Sequence, residues 1–293
     1  MAAPIFFGNS RKFVPIPAPF TDAAANHVGF GSNMQLANGG MRVLESADSH
    51  REYNFEWADN PKDLRIIQEF HQGVHGPGPF YMTDIFARSS NLFRDNWAMP
   101  ALIEQGKQNI STVKPSFAAS GTSLYNLPYR EARFDLAGVT AITPRYTFVI
   151  MIPEGHQLHF GYTGWRTGNA AVMVRGIQAG GNRVTIGTQA PISVVTSNRY
   201  STIISGSTYI GAEFSLTGVS GSPSMLAIIG MNAVLTRIGA TPTLSTNWAP
   251  GEGVGGLRFS GGLRDIYGTA GGYGVPARRS LGATLVETEQ WEW

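Results

Sequence analysis

The stretch REYNFEWADNPKDLRIIQEFHQG, Arg51 to Gly73, switches from the period of a strand to that of a helix within a few residues. Tyr53, Phe55 and Trp57 alternate with Asn54 and Glu56, which marks a strand with one buried face; the strand region reaches back through MRVLESADSH to Met41. Asn60 can cap a helix, Pro61 suits its first position, and Asp63 suits its positive end. Gly73 can supply the left-handed turn after the last residue. Leu64, Ile67 and His71 lie on one side with Ile66 and Phe70 beside them, so one face is apolar for about three turns, or roughly 18 Å. Such a helix packs onto a sheet.

Composition widens this to the whole chain. Its 293 residues, 42% hydrophobic and 11% aromatic, can fill one large core or two ordinary ones. With 36 Gly, 17 Pro and only 14% charged residues, the chain reads as mostly β, rich in turns and poor in solvated helices. Cysteine is absent, which removes disulfides and thiolate metal sites and fits production in a cytoplasm. The opening MAAPIFFGNSRKF places apolar residues before basic ones, the reverse of a secretory signal. The longest near-apolar run, MLAIIGMNAVL from Met225, is too short to span a bilayer, so no membrane insertion is expected. A net charge of +2 is too small for a nucleic-acid binder. The 18 Arg against 4 Lys favour protein contacts, because the planar guanidinium pairs bidentately and stacks on rings, although a GC-rich genome produces the same bias.

Charge divides the chain into three. Residues 1–135 carry 12 basic and 13 acidic side chains, and residues 252–293 carry 4 and 5. Residues 136–251 hold six Arg, no Lys and only Glu154 and Glu213, and are rich in Ser, Thr and Gly. A module inserted at 136–251 between two segments of one outer domain is expected. Within it, YTFVIMIPEG, NAAVMVRGIQAGGN, RVTIGT, ISVVTS, YSTIIS and EFSLTG read as short strands bounded by turns, the signature of a β-sandwich or jelly roll. In the closing SLGATLVETEQWEW, Leu281, Ala283 and Leu285 alternate as in a strand that returns to the first domain.

A search for catalytic chemistry returns only structural readings. His71 and His75 have a zinc-like spacing but sit at a helix end without a general base, and His156 and His159 would face opposite sides of a strand. Glu287 and Glu289 share a face of the terminal strand, and a solvated sheet face accounts for them better than a glycosidase pair. GEGVGG and SGGLRDIYG lack the strand–turn–helix context and the Lys of a phosphate loop. No catalytic, metal or cofactor residue is therefore assigned, and the chain is not expected to be an enzyme. One patch suggests a ligand: GYTGWRTGN offers Tyr162 and Trp165 as planes on which a sugar could stack and Arg166 and Asn169 as donors, in an expected turn between strands.

The outer segments resemble a family. FVPIPAPF, the LANGGMRVLESADSHREYNFEW region, the helix, and GPGPFYMTDIFARSSNLFRDNWAMP look like the N-terminal part of minor tail proteins from long-tailed phages of actinobacteria. LRFSGG and SLGATLVETEQW resemble their closing strands, and the middle resembles the carbohydrate-module-like jelly roll often found there. The most specific marks are Gly78 to Tyr81, Asn91, Trp97 with Pro100, and Leu285 to Glu287 with Trp291.

What the resemblance implies is a distal-tail-like structural protein. A tail-tube-like β-sandwich or barrel domain with a packed helix would form a ring, expected to be a hexamer, at the end of the tail tube, and a second β-sandwich would project outward. Its implied partners are other copies of itself, the major tail tube protein, further minor tail or tip proteins and the tape measure protein. It would sit in the virion at the tail tip after assembly in the host cytoplasm, with DNA passing through the lumen and no sequence-specific binding of nucleic acid. The alternative is an adhesin that binds host cell-wall glycan through the inserted sandwich. The sugar-binding residues of true carbohydrate modules find no match here, so that activity is not carried over. In Gly76 to Pro100, Pro77 and Pro79 fix an extended chain, Phe80 to Phe86 includes core strand, and Trp97 anchors the return. The polar tip around Arg88, Asn91, Phe93, Arg94 and Asp95 is the expected subunit contact.

Overall fold

The computed structural model describes residues 5–17, 19, 25–35, 41–58, 61–83, 91–93, 116–119, 130–136, 145–189, 198–218, 224–240, 253–268 and 278–288. In chain order the first strands are β1 (Ile5–Gly8), β2 (Phe13–Ile16), β3 (Ala25–Gln35) and β4 (Met41–Ala58), then helix α1 (Pro61–His71) and β5 (Tyr81–Thr83). There follow β6 (Ser116–Ala119), β7 (Arg130–Asp135), β8 (Arg145–Met151), β9 (His156–Thr167), β10 (Ala171–Ile177) and β11 (Arg183–Gln189). Last come β12 (Asn198–Ser205), β13 (Gly211–Thr217), β14 (Met225–Arg237), β15 (Gly256–Phe259), β16 (Arg264–Gly268) and β17 (Arg278–Thr288). The chain is mostly β, in several antiparallel sheets, and no barrel closes among the described strands.

Two cores organise these strands. The first is drawn from both ends of the chain: Ile5, Phe7, Tyr53, Phe55, Trp57, Phe80, Leu257, Leu281 and Leu285 are buried together with the α1 residues Leu64, Ile67 and Phe70. Its main sheet has the order β15-β17-β4-β3, with β16 also on β17, and a small sheet β2-β1-β5 lies beside it. The alternation of Tyr53, Phe55 and Trp57 puts all three indoors, and Leu281, Ala283 and Leu285 pair opposite them across β4 and β17. Helix α1 is amphipathic as its spacing predicts, with Phe70 in place of His71 completing the buried row. Gly73 ends it with φ of +76°, a conformation costly for a side chain. The expected cap, Asn60, lies outside the described residues.

The second core is a sandwich of the sheets β11-β10-β13-β8 and β12-β9-β14-β7-β6. Phe148, Phe160, Phe214, Val172, Val174 and Leu226 face inward, and the Phe160 and Phe214 ring centroids are 4.5 Å apart. Each large side chain so buried stabilises the sandwich by about 1.5–3 kcal/mol.

The sandwich does not begin at residue 136. Strand β7 pairs with β14 from Met225↔Asp135 to Ile228↔Ala132, and Leu92, Phe93, Phe134 and Leu136 belong to the sandwich core. The change of core on the outgoing chain therefore falls between Met82 and Leu92, and on the returning chain between Leu235 and Val254. Charge density missed the first boundary because the strand REARFD alternates charged residues with Ala132 and Phe134, so a sandwich strand reads as polar.

The two bodies meet where Tyr81 packs on Val149, Met151 and Ile177, with Phe13 and Ile210 alongside. A cavity of about 20 Å³ between Met82, Leu92, Ile150 and Val254 could hold a single water. A second contact joins the β1–β2 turn to the tip of the β10–β11 hairpin, where the Gly180 amide donates to the Arg11 carbonyl at 3.4 Å.

Candidate functional site

The four residues expected to bind glycan are separated by the fold. GYTGWRT is strand, not turn: β9 runs to Thr167, and only Gly168 and Asn169 turn. Tyr162 is fully buried and stacks on Phe160 at 5.9 Å inside the sandwich, so it offers no plane to a sugar. Leu158, Phe160 and Tyr162 alternate and are all buried, a period of two that signals a strand. Trp165 lies on β9 opposite Ala227 in the register, and its side chain is outside what the structure describes. Arg166 is half-buried and donates to the Ala170 carbonyl at 3.4 Å, while Asn169 is exposed.

The expected subunit contact is likewise divided. Asn91 and Phe93 are fully buried, and Arg88, Arg94 and Asp95 lie outside the described residues. Asn91 acts as a splint on the free edge of β14 beyond β7: its Nδ2 donates to the Met231 carbonyl at 2.9 Å, and its Oδ1 accepts from the amides of Phe93 and Ala233. The Leu92 amide continues the pairing to the Ala233 carbonyl at 2.8 Å. Phe93 lies 5.3 Å from both Phe148 and Phe214. These two residues are therefore core, not surface, because backbone groups at the β14 edge must be paired once buried.

Glu287 also departs from the expected solvated face. Its side chain is buried, accepts from Arg51 Nε at 2.8 Å and Nη2 at 3.1 Å, and accepts again from the Gly255 amide. Arg51 Nη2 further donates to the Gly253 carbonyl. Glu289 lies outside the described residues. Two other carboxylates are similarly engaged. Glu213, buried on the outward side of β13, pairs with Arg175 and Arg183. Glu69 accepts from His75 at 2.9 Å and from Arg65 at 3.0 Å, and the His75 hydrogen bond, followed by Arg65, holds its carboxyl below the usual range.

His71 reaches the Gly261 carbonyl at 3.2 Å and stands edge-on to Phe259, while His75 meets Lys12 Nζ at 3.4 Å, so each has its own surroundings. On the sandwich, His156 is half-buried with its edge toward Phe6, whereas His159 is buried on the outward side of β9 with Gln157 and Thr236 at 3.0 Å. Burial pushes the His159 imidazole below its ordinary value. Among the described residues no group of three metal-ligating side chains gathers, and no helix is long and apolar enough to cross a membrane.

The feature with the largest reach is backbone. Strand β4 pairs with β17 only over Glu52–Ala58, yet it runs with β3 from Ala25↔Tyr53 to Gln35↔Met41. From Met41 to Arg51 its only strand partner among the described residues is β3, so the hairpin extends as a two-stranded arm. At ~3.3 Å per residue its length is roughly 35 Å. Among the described strands, the sheet that bears it ends in β3 on one side and in β15 and β16 on the other, two different edges.

Fold and site together define a mostly β protein of two cores, with a β3–β4 hairpin that runs beyond the pairing with β17. No protein-family model matches the chain, and no curated protein matches it. Among solved structures it is similar to the enzymatically active domain of tailspike protein 4 of bacteriophage CBA120, at 15% identity and a TM-score of 0.36, over 50% of this chain and 21% of that one. The chain thus spans about a fifth of the tailspike chain. It is also similar to the N-terminal cellulose-binding domain of Cellulomonas fimi β-1,4-glucanase C, at 15% identity and a TM-score of 0.27, over 43% and 91% of the two chains. A CBM4 module is similar at 18% identity and a TM-score of 0.25, over 41% and 94%. The likeness is partial in each case.

Proposed function

We propose that this chain is a structural protein of a phage tail tip that assembles with copies of itself into a ring joining the tail tube to the tip complex. The observation that carries the reading is the β3–β4 arm, which no third strand joins among the described residues. A ribbon whose two strands pair only with each other among the described residues is marginal alone and gains stability when another strand completes it. The bearing sheet has two unlike edges, which suits a head-to-tail contact that closes by rotation. An arm of roughly 35 Å offers backbone and side-chain area toward the ~800 Å² per partner that a stable contact needs. The resemblance of the outer segments to minor tail proteins points the same way. On this reading the ring is a hexamer, its neighbours are the tube protein, other tip proteins and the tape measure protein, and its lumen passes DNA.

Light scattering and native mass spectrometry across a concentration series test this. The wild-type chain should form a closed oligomer, and a variant with residues 30–48 replaced by Asn-Gly, joining the register partners Gly29 and Ser49, should stay monomeric and folded. A wild-type chain that is monomeric at every concentration, and absent from dissociated tail tips, overturns the reading.

A further inference from the structure

The chain leaves the first core for the sandwich and comes back beside itself. On the outgoing side Leu92 is fixed to β14, and the Phe93 carbonyl accepts from the Gly253 amide of the returning side at 3.1 Å. Gly253 is required there, because a Cβ would stand 1.8 Å from the Leu92 carbonyl oxygen. The Gly253 carbonyl accepts from Arg51, and Arg51 holds Glu287 of β17 through both Nε and Nη2. Arg51 is the last β4 residue before the pairing with β17 begins at Glu52, and it sits opposite His27 of β3. One guanidinium therefore touches the neck of the sandwich, the last strand of the sheet and the foot of the arm.

We propose that the Arg51–Glu287 pair is a clasp that couples the position of the sandwich to the angle of the β3–β4 arm. A planar fork on a carboxylate permits one relative orientation, whereas an apolar contact of similar size would slide. With the carboxylate buried and also holding the Gly255 amide, a displacement of the neck must either carry the arm foot with it or break charge-assisted bonds out of water. The pair is a positioning device. The coupling rests on the two-core architecture, not on the tail reading, and it is tested on the unassembled chain.

The test places spin labels at Gln35→Cys, the last residue of β3, and Thr208→Cys on the sandwich, in a chain that has no cysteine of its own. The arm-to-sandwich distance distribution is then compared with and without Glu287→Gln. A clasp predicts a broader distribution in the variant. It also predicts exchange at least about tenfold faster in peptides covering 25–31 and 45–51, with 171–177 and 211–217 unchanged. An unchanged distribution, or faster exchange confined to 253–257, overturns the proposal. If Glu287→Gln loses protection throughout the sandwich, Arg51→Lys takes its place: it keeps the charge but not the fork, and the same two outcomes decide.

Discussion

Strands β13 and β4 use their edges in opposite ways. All seven residues of β13 are buried and it has a partner on each side, so its hydrogen bonds are satisfied within the sandwich. Among the described residues β4 is paired on both sides from Glu52 to Ala58, and its first eleven residues pair with one strand. Among the described residues the sandwich strand is paired along both edges, and the arm along one. The difference predicts two regions that respond separately to mutation, one by unfolding of the sandwich and the other by loss of order in the arm.

The strongest way to break that comparison is Phe214→Ala. The ring is fully buried against Phe93 and Phe160, and its removal should cost about 3–5 kcal/mol. Denaturant unfolding should show an earlier sandwich transition while helix α1 keeps its exchange protection; a single shared transition would mean that the two cores are one cooperative unit. Next in size is Asn91→Ala, which withdraws a partner from the Met231 carbonyl and the Ala233 amide, at about 1–3 kcal/mol for a buried group left unpaired. The same transition should shift, and resistance to this change would place residue 91 back at the surface. Gly253→Ala drives a methyl into the Leu92 carbonyl and should cost about 1–3 kcal/mol, read as loss of protection at the neck before either core.

A smaller effect separates the regions by pH. Burial lowers the His159 pKa from its ordinary 6.5, so the unfolded chain binds a proton more readily than the folded one. Sandwich stability therefore rises with pH through this window; it is lost as pH falls below about 6.5 and levels off once the folded-state value is passed. His159→Gln should flatten this slope in melts taken between about pH 5 and 8, with the outer core unaffected. Smallest of all is Arg65→Ala, which removes an exposed pair on α1 and should leave both transitions where they were.

What the sequence made legible was local. The Asn60–Gly73 stretch announces its helix because capping, charge and period all act within one segment, and the alternation of Tyr53 to Trp57 with that of Leu281 to Leu285 finds the two strands of the main sheet. Glu287 was read as solvated because its partner is 236 positions away, a separation no local pattern reports. Asn91 was read as a polar tip for the same reason: its partners belong to β14, about 140 residues on. Tyr162 is a different failure. Leu158, Phe160 and Tyr162 carry a period of two, and β9 takes Gly161 and Gly164 within the strand where a turn is expected. The number of β4's neighbours is not legible either, since a strand with one neighbour and a strand with two carry the same alternation.

The neck has a consequence for how such a chain could change over time. Because Phe93 and Gly253 are hydrogen-bonded neighbours, the sandwich leaves and rejoins the outer body through adjacent positions. A segment bounded in this way can be exchanged for another whose ends lie equally close, provided that the replacement keeps the neck contact to Arg51 and an apolar face for Tyr81. The molecule is thereby a fixed frame with a socket, and diversity in what projects from the frame need not be paid for by the frame itself.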